Sequence, residues 1–457
     1  MASYFAADAL LTEGWARNVR IEVDASGAIA AVTPDANAAG AELLAGPALP
    51  GMANLHSHAF QRAMAGLTEL RAGVNDDFWS WRELMYRFVS RLTPEHAQAV
   101  AAHLYIEMLK HGYTAVAEFH YVHNDALGRP YAARAEMLLR QLAAARETGI
   151  AITLLPALYA WSDFGRRPLA PRQRRFATDV PEVLAMLEAA RKAADGCRDV
   201  RVGVAPHSLR AVDGAQLAAL VAGLAAMDPS APVHIHAAEQ IKEVDDCLAA
   251  CGKRPVQWLL DSMPLDARWC VVHATHMTNE ETTALAKSGA VAGLCPSTEG
   301  NLGDGIFPLL AYRAAGGRWG IGGDSHVSRN PAEELRLAEY VQRLATRRRN
   351  LVVSDKTPAV GTTLWMEAAA GGAQALGRAM GALAPGSRAD LVVLDATAPD
   401  LAGRSGDAIA NALVFSGAED LVRDVMVGGK WAVRERRHAR EEAAAAAFKR
   451  ARAELLA

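Results

Sequence analysis

Eight apolar runs of strand length recur along the 457-residue chain, with stretches of helical character between them. They read LPGMANLHSH, YTAVAEFHYV, IAITLLPALY, VRVGVAPHSL, APVHIHAAE, RWCVVHATHM, AVAGLCPSTE and RWGIGGDSH. Runs this short and this apolar suit strands buried on both faces, and their alternation with helices calls for parallel pairing through helical crossovers. Eight such units predict a (β/α)8 barrel. The intervening segments carry the expected punctuation. In TPEHAQAVAAHLYIEMLKHG, Thr93 is placed to cap a helix, Pro94 to occupy its first position and Gly112 to stop it.

The chain ends follow a different period. Up to residue 48 the pattern is that of short strands, with two β-type runs around the turn Asp24-Ala25-Ser26-Gly27. From residue 383 it returns to strands in GSRADLVVLD and LVRDVMVGGKWAVRERRHA, the second folded about Gly428-Gly429. The expected division is therefore a small β-sandwich domain built from residues 1–48 and 383–457, beside a barrel spanning 49–382. The last segment, AREEAAAAAFKRARAELLA, reads as a surface or interface helix.

Composition removes several classes of partner. A net charge of -3 gives no pull toward nucleic acid or an anionic membrane surface. No apolar run approaches the roughly 20 residues that cross a bilayer, and the N-terminus lacks the basic start and apolar core of a signal peptide. The five cysteines are scattered; Cys247 and Cys251 lie one helical turn apart, but no second pair completes a cluster. Reduced thiols in a cytoplasmic protein are the expectation.

The chemistry lies where the apolar runs stop. Barrel enzymes put their active sites at the C-terminal ends of the strands. There the chain has His56 and His58 on strand one, His207 on four, His236 and Glu239 on five, His273 on six and Asp324 on eight. A lone histidine after an apolar run is most often a satisfied structural group; agreement among five strand ends is not that case. His56 and His58 are two apart and share a strand face. With His236 and Asp324 they offer three nitrogens and a carboxylate, a set suited to one divalent ion, zinc first, with room for water. Glu239 can reach that water and carry its proton, and His273 faces it from the next strand. Asp324 belongs to both the ligand and the catalytic set. His234 and His276 read as supporting groups.

These residues resemble the amidohydrolase superfamily over essentially the whole chain. Its mononuclear deaminase branch has a His-x-His pair on strand one, His-x-x-Glu on strand five, His on strand six and Asp on strand eight, which correspond to His56/His58, His236/Glu239, His273 and Asp324. Binuclear members carry a bridging lysine or acid at the end of strand three or four. Here those ends read LLPALYAWSD and VAPHSLRAV, with His207, no lysine, and Asp163 too far along to bridge. The resemblance implies one metal ion and a homodimer.

A loop of more than thirty residues follows strand one, AFQRAMAGLTELRAGVNDDFWSWRELMYRFVSRLTP, long enough to cover a site. It supplies Gln61, Arg62 and Arg82; strand two ends in Tyr121, and strand four offers His207 and Arg210. Arginines at a barrel mouth suggest a substrate bearing carboxylates, which match the guanidinium fork. The strings NLHSHAFQRAMAGL, FWSWRELMY, APHSLRAV and CPSTEGNLGDGIF resemble those superfamily members that remove ammonia from a formimidoyl group carried by glutamate, in histidine degradation. That likeness implies a small dicarboxylate held by Gln61, Arg82, Tyr121, His207 and Arg210, with Arg62 as the alternative to Arg82. Two other readings stand beside it. Trp79 and Trp81 keep open a deaminase of guanine-, cytosine- or triazine-like rings. An inactive scaffold is disfavoured because every ligand is present.

Overall fold

Each of the eight apolar runs carries a barrel strand in the computed structural model, which describes residues 1–71, 77–417 and 420–457. The N-terminal strands are β1 (Ala2–Leu11), β2 (Gly14–Val23), β3 (Ile29–Thr33), β4 (Glu42–Leu43) and β5 (Ala48–Pro50). The barrel follows with β6 (Met52–Ser57), β7 (Tyr113–His120), β8 (Ala151–Leu158), the broken pair β9 (Val200–Val202) and β10 (Ala205–Pro206), then β11 (Val233–Ala237), β12 (Trp269–His273), β13 (Val291–Leu294) and β14 (Arg318–Ile321). Neighbours pair in parallel throughout, from β6 to β10 and from β11 to β14. Single bridges close the ring: Val204 to Val233 and Ser208 to His236 on one side, Ser57 to Asp324 on the other. The result is a TIM-barrel-like α/β fold.

The chain ends meet through β15 (Leu391–Leu394), β16 (Val422–Val427) and β17 (Lys430–Val433). β15 runs antiparallel to β5, with Leu391 opposite Pro50 and Val393 opposite Ala48. Among the described residues this pairing merges both ends into one sheet, ordered β17-β16-β15-β5-β1-β2-β3 with β4 beside β1. The pairings give one continuous hydrogen-bonded sheet; the sandwich of two sheets expected from the alternation is not shown by them. A separate apolar cluster of Tyr4, Val19, Ile21, Ile29, Leu391 and Met426 supports the sheet.

The long segment after β6 is not all loop. It contains a 3-10 turn at Ala59–Met64 and a helix, α1 (Phe78–Val89); residues 72–76 of that segment lie outside the described residues. Asp77 caps α1 by accepting from the backbone N–H groups of Trp79 and Ser80. The next helix, α2 (Pro94–Lys110), begins as its sequence dictates, with Thr93 Oγ1 accepting from His96 N at 3.2 Å, and the chain turns away at Gly112, whose φ of 102° is open to glycine. The final helix, Glu441–Leu456, packs along α2: Phe448 stacks on His103 at 4.5 Å, and Lys110 pairs with Glu441 at 2.9 Å. Among the described residues no helix is long and apolar enough to cross a membrane.

Candidate active site

The seam between the last and first barrel strands builds the candidate ligand cluster. Asp324 N donates to His56 O at 2.9 Å and His58 N to Asp324 O at 3.0 Å, so main-chain pairing sets these three residues side by side. The approach requires Gly322, where a Cβ would stand 2.8 Å from the His56 backbone nitrogen. From across the barrel His236 brings its Nε2 to 3.0 Å from His56 Nε2. Asp324 Oδ1 lies 3.5 Å from Nε2 of both His56 and His58.

The donors fit a divalent ion. His58 Nδ1 is held by the Phe119 carbonyl at 2.7 Å and His236 Nδ1 by the His207 carbonyl at 2.9 Å. With the proton kept on Nδ1, each Nε2 lone pair faces the cluster. Burial holds all three imidazoles below their ordinary pKa, His56 and His236 far below it, and a neutral imidazole is the form that ligates. The ligand atoms of His56, His58 and His236 lie within 4.8 Å of one another, and Asp324 groups likewise with His273 and Cys295.

Backbone strain concentrates at the same strand ends. Ala238, His273, Ala274, Asp324 and His326 all have positive φ, between 48° and 66°, a region that costs a non-glycine residue energy. His273 turns its Nε2 to 3.8 Å from both Glu239 Oε1 and Asp324 Oδ2. Burial pushes the Glu239 carboxyl up to about 7, although His273 and Arg210 pull the other way. Burial also acts to lower His273, but Glu239, the hydrogen bond to Glu299 and Asp324 outweigh it and raise the imidazole to about 10.

A cavity opens beyond these groups. Gln61, Arg82, Tyr121, His207 and Arg210 all line it, together with His58, His236, Glu239, His273 and Asp324. Gln61 Nε2 donates to Tyr121 Oη at 2.7 Å, which leaves its buried Oε1 without a partner and open to a donor from a ligand. The His207 ring packs edge-on against Tyr159 at 4.7 Å. Arg82 lies over Trp79 at 4.5 Å, and its buried Nε has no hydrogen-bond partner. Arg210 is buried and stands 3.8 Å from Glu239 and 3.9 Å from Glu243, so it neutralises the protein's own carboxylates as well as lining the cavity. Arg62 turns away, donating to the carbonyls of His326 and Val327. Asp163 does not line this cavity either. His234 bonds the Ala375 carbonyl and His276 that of Asp304.

Two carboxylates at the site escaped the sequence reading. Glu118 interrupts the apolar run of β7; it accepts from Ser57 Oγ at 2.6 Å and from Ala59 N at 2.9 Å, and burial pushes it up to about 7. Ser57 Oγ also meets His326 Nε2 at 2.8 Å, so Glu118 anchors the seam from behind. Glu299 lies against His273 Nδ1 at 3.2 Å. An acid inside an otherwise apolar strand was a legible signal for Glu118; Glu299 had none.

Residues 48–432 match the Amidohydrolase family. The chain belongs to that family. Residues 1–46 of this amidohydrolase match a second family, described as "Formimidoylglutamate deiminase HutF, N-terminal domain". It is 56% identical over 456 residues to the formimidoylglutamate deiminase of Pseudomonas aeruginosa, covering 100% of both chains. Its fold is similar to the crystal structure of an amidohydrolase from Brucella melitensis, with a TM-score of 0.95 and 46% identity over 100% of each chain. At 22% identity it also shares its fold with an adenosine deaminase from Xanthomonas campestris with bound zinc, with a TM-score of 0.82 over 100% of this chain and 98% of that one.

Proposed function

We propose that this amidohydrolase is a formimidoylglutamate deiminase, hydrolysing N-formimidoyl-L-glutamate to N-formyl-L-glutamate and ammonia in histidine degradation. The observation that carries the reading is the 56% identity, end to end, with the enzyme of that name. It is joined by a cavity that gathers metal donors, a buried carboxylate and two arginines.

His56, His58, His236 and Asp324 would hold one divalent ion, zinc by the preference of that metal for nitrogen and carboxylate donors. The chemistry such an ion supplies is a water acidic enough to attack near neutral pH. Glu239 takes a proton from the attacking water. As oxygen bonds to the formimidoyl carbon, Glu239 returns the proton to the terminal nitrogen. The hydroxyl proton left on that oxygen then passes through Glu239 to the amino nitrogen as the C–N bond breaks; ammonia departs, and the oxygen forms the formyl C=O. His273 Nε2 hydrogen-bonds the attacking oxygen. Arg82 and Arg210 pair with the substrate carboxylates, whose charges need partners once water is excluded. Gln61, Tyr121 and His207 complete the wall. The partner is thus a small dicarboxylate, with no nucleic acid and no membrane. A homodimer is proposed from the superfamily resemblance. A cytoplasmic setting suits the five free cysteines.

The test is ammonia release from N-formimidoyl-L-glutamate, guanine and cytosine in parallel. Release from the first alone is expected. Deamination of a ring base, with none from formimidoylglutamate, overturns the proposal.

A further inference from the structure

One buried carboxylate has no part in the proton path above. Glu299 lies on the short helix Pro296–Leu302, just after β13, and is 6% exposed. Its Oε1 accepts from two directions: the Cys295 backbone N–H at 2.8 Å and His273 Nδ1 at 3.2 Å. The opposite edge of the same imidazole, Nε2, stands 3.8 Å from Glu239 Oε1. His273 itself has a φ of 66°, a backbone conformation that costs energy and persists where the surrounding structure holds it. The Cys295 N–H ties the Glu299 carboxylate to the end of β13. The ring on β12 is thereby oriented by the neighbouring strand. An imidazole whose Nδ1–H is held in a fixed direction presents its Nε2 edge in a fixed direction to whatever lies opposite.

We propose that Glu299 is a positioning residue: by holding His273 Nδ1–H it aims Nε2 at the attacking oxygen beside Glu239. The proposal rests on the deiminase reading for the reaction, but the hold on the ring stands on geometry alone. Glu299 does not line the cavity and acts only through His273.

Two variants separate this role from helix support. Glu299→Leu removes both acceptor bonds; Glu299→Gln keeps the Oε1 acceptor and removes only the charge. Each is made in the parent and in a His273→Asn background. Turnover, metal content and the histidine ring N–H signals in 15N-labelled protein are measured. In the parent background Glu299→Leu should lower kcat about 10–100-fold, the range for losing an outer hydrogen-bond partner. KM should move little, metal content should not change, and one slowly exchanging Nδ1–H signal should disappear. Glu299→Gln should keep that signal and restore most of kcat. In the His273→Asn background neither variant should cost anything further, because groups acting as a unit are not additive. An unchanged kcat in Glu299→Leu, or the same loss with His273 absent, overturns the proposal. If the leucine variant fails to fold, Glu299→Ala, which removes the same acceptor, takes its place with the same expected outcomes, and a loss that persists without His273 overturns the proposal. A parent that releases no ammonia from N-formimidoyl-L-glutamate sinks the deiminase reading instead, and the ring N–H signals still decide whether Glu299 holds His273.

Discussion

At the deep end of the cavity, functional side chains hang from strand ends and are tied back to main chain: His58 to the Phe119 carbonyl, His236 to that of His207, Asp324 through the seam to both neighbours of Ser57. At the outer end, Arg82 rides on α1 and rests on the face of Trp79, with no hydrogen bond to its buried Nε. The first arrangement leaves almost no rotational freedom and accepts backbone strain to achieve it. The second holds a cation by stacking, which fixes a plane but lets the guanidinium slide and turn. The deep wall is thus preorganised for one chemistry, whereas the outer wall can adjust to what it grips.

Four experiments strain this contrast at decreasing force. Stripping the protein with a chelator should abolish turnover and one equivalent of zinc should restore it, with metal analysis giving one ion per chain; two ions sharing a bridging side chain would break the mononuclear reading. Glu239→Gln should reduce turnover at least about a hundredfold with normal metal content; a metal-replete variant with full activity hands the proton to His273. Replacing Arg82 or Arg210 by methionine should cost about 2–5 kcal/mol in kcat/KM on formimidoylglutamate, the range for one truncated member of a desolvated charge pair. If both variants keep near-normal kcat/KM, the dicarboxylate pocket is wrong. The mildest test is Asp77→Ala, which removes the cap of α1 and should loosen it by about 1 kcal/mol. KM should rise a few-fold with kcat unchanged; a matching fall in kcat would mean that α1 takes part in the chemistry and that the two walls are not separate.

The barrel was readable because its strands are buried on both faces and end in polar residues, a signature that survives without any knowledge of partners. The candidate ligand and base residues were readable as a group for the same reason: His56, His58, His236, Glu239, His273 and Asp324 each break an apolar run at its end. The helix α1 was not recognised, although Asp77 and the apolar positions Phe78, Met85, Tyr86 and Val89 carry its spacing. Its surroundings read as a covering loop, and tertiary packing decided otherwise. Glu299 lay beyond reach for a different cause. Its meaning comes from His273, a residue on another strand, and nothing local marks the pairing. The single terminal sheet follows from the long-range register of β5 with β15, which alternation alone does not specify.

The seam at Ser57 and Asp324 also orders events in time. His56 and His58 leave the ribosome early, whereas Asp324 and the strand that carries it are made only after seven other barrel strands. Until then the first strand has no neighbour on that side, and nothing holds its two imidazoles at their angle to a carboxylate. An emerging chain can therefore gather loose nitrogen donors but not the complete cluster. With the proposed ligand set, ion capture would belong to the last step of ring closure, and the bound ion would act as a latch on a finished barrel rather than as a template for starting one.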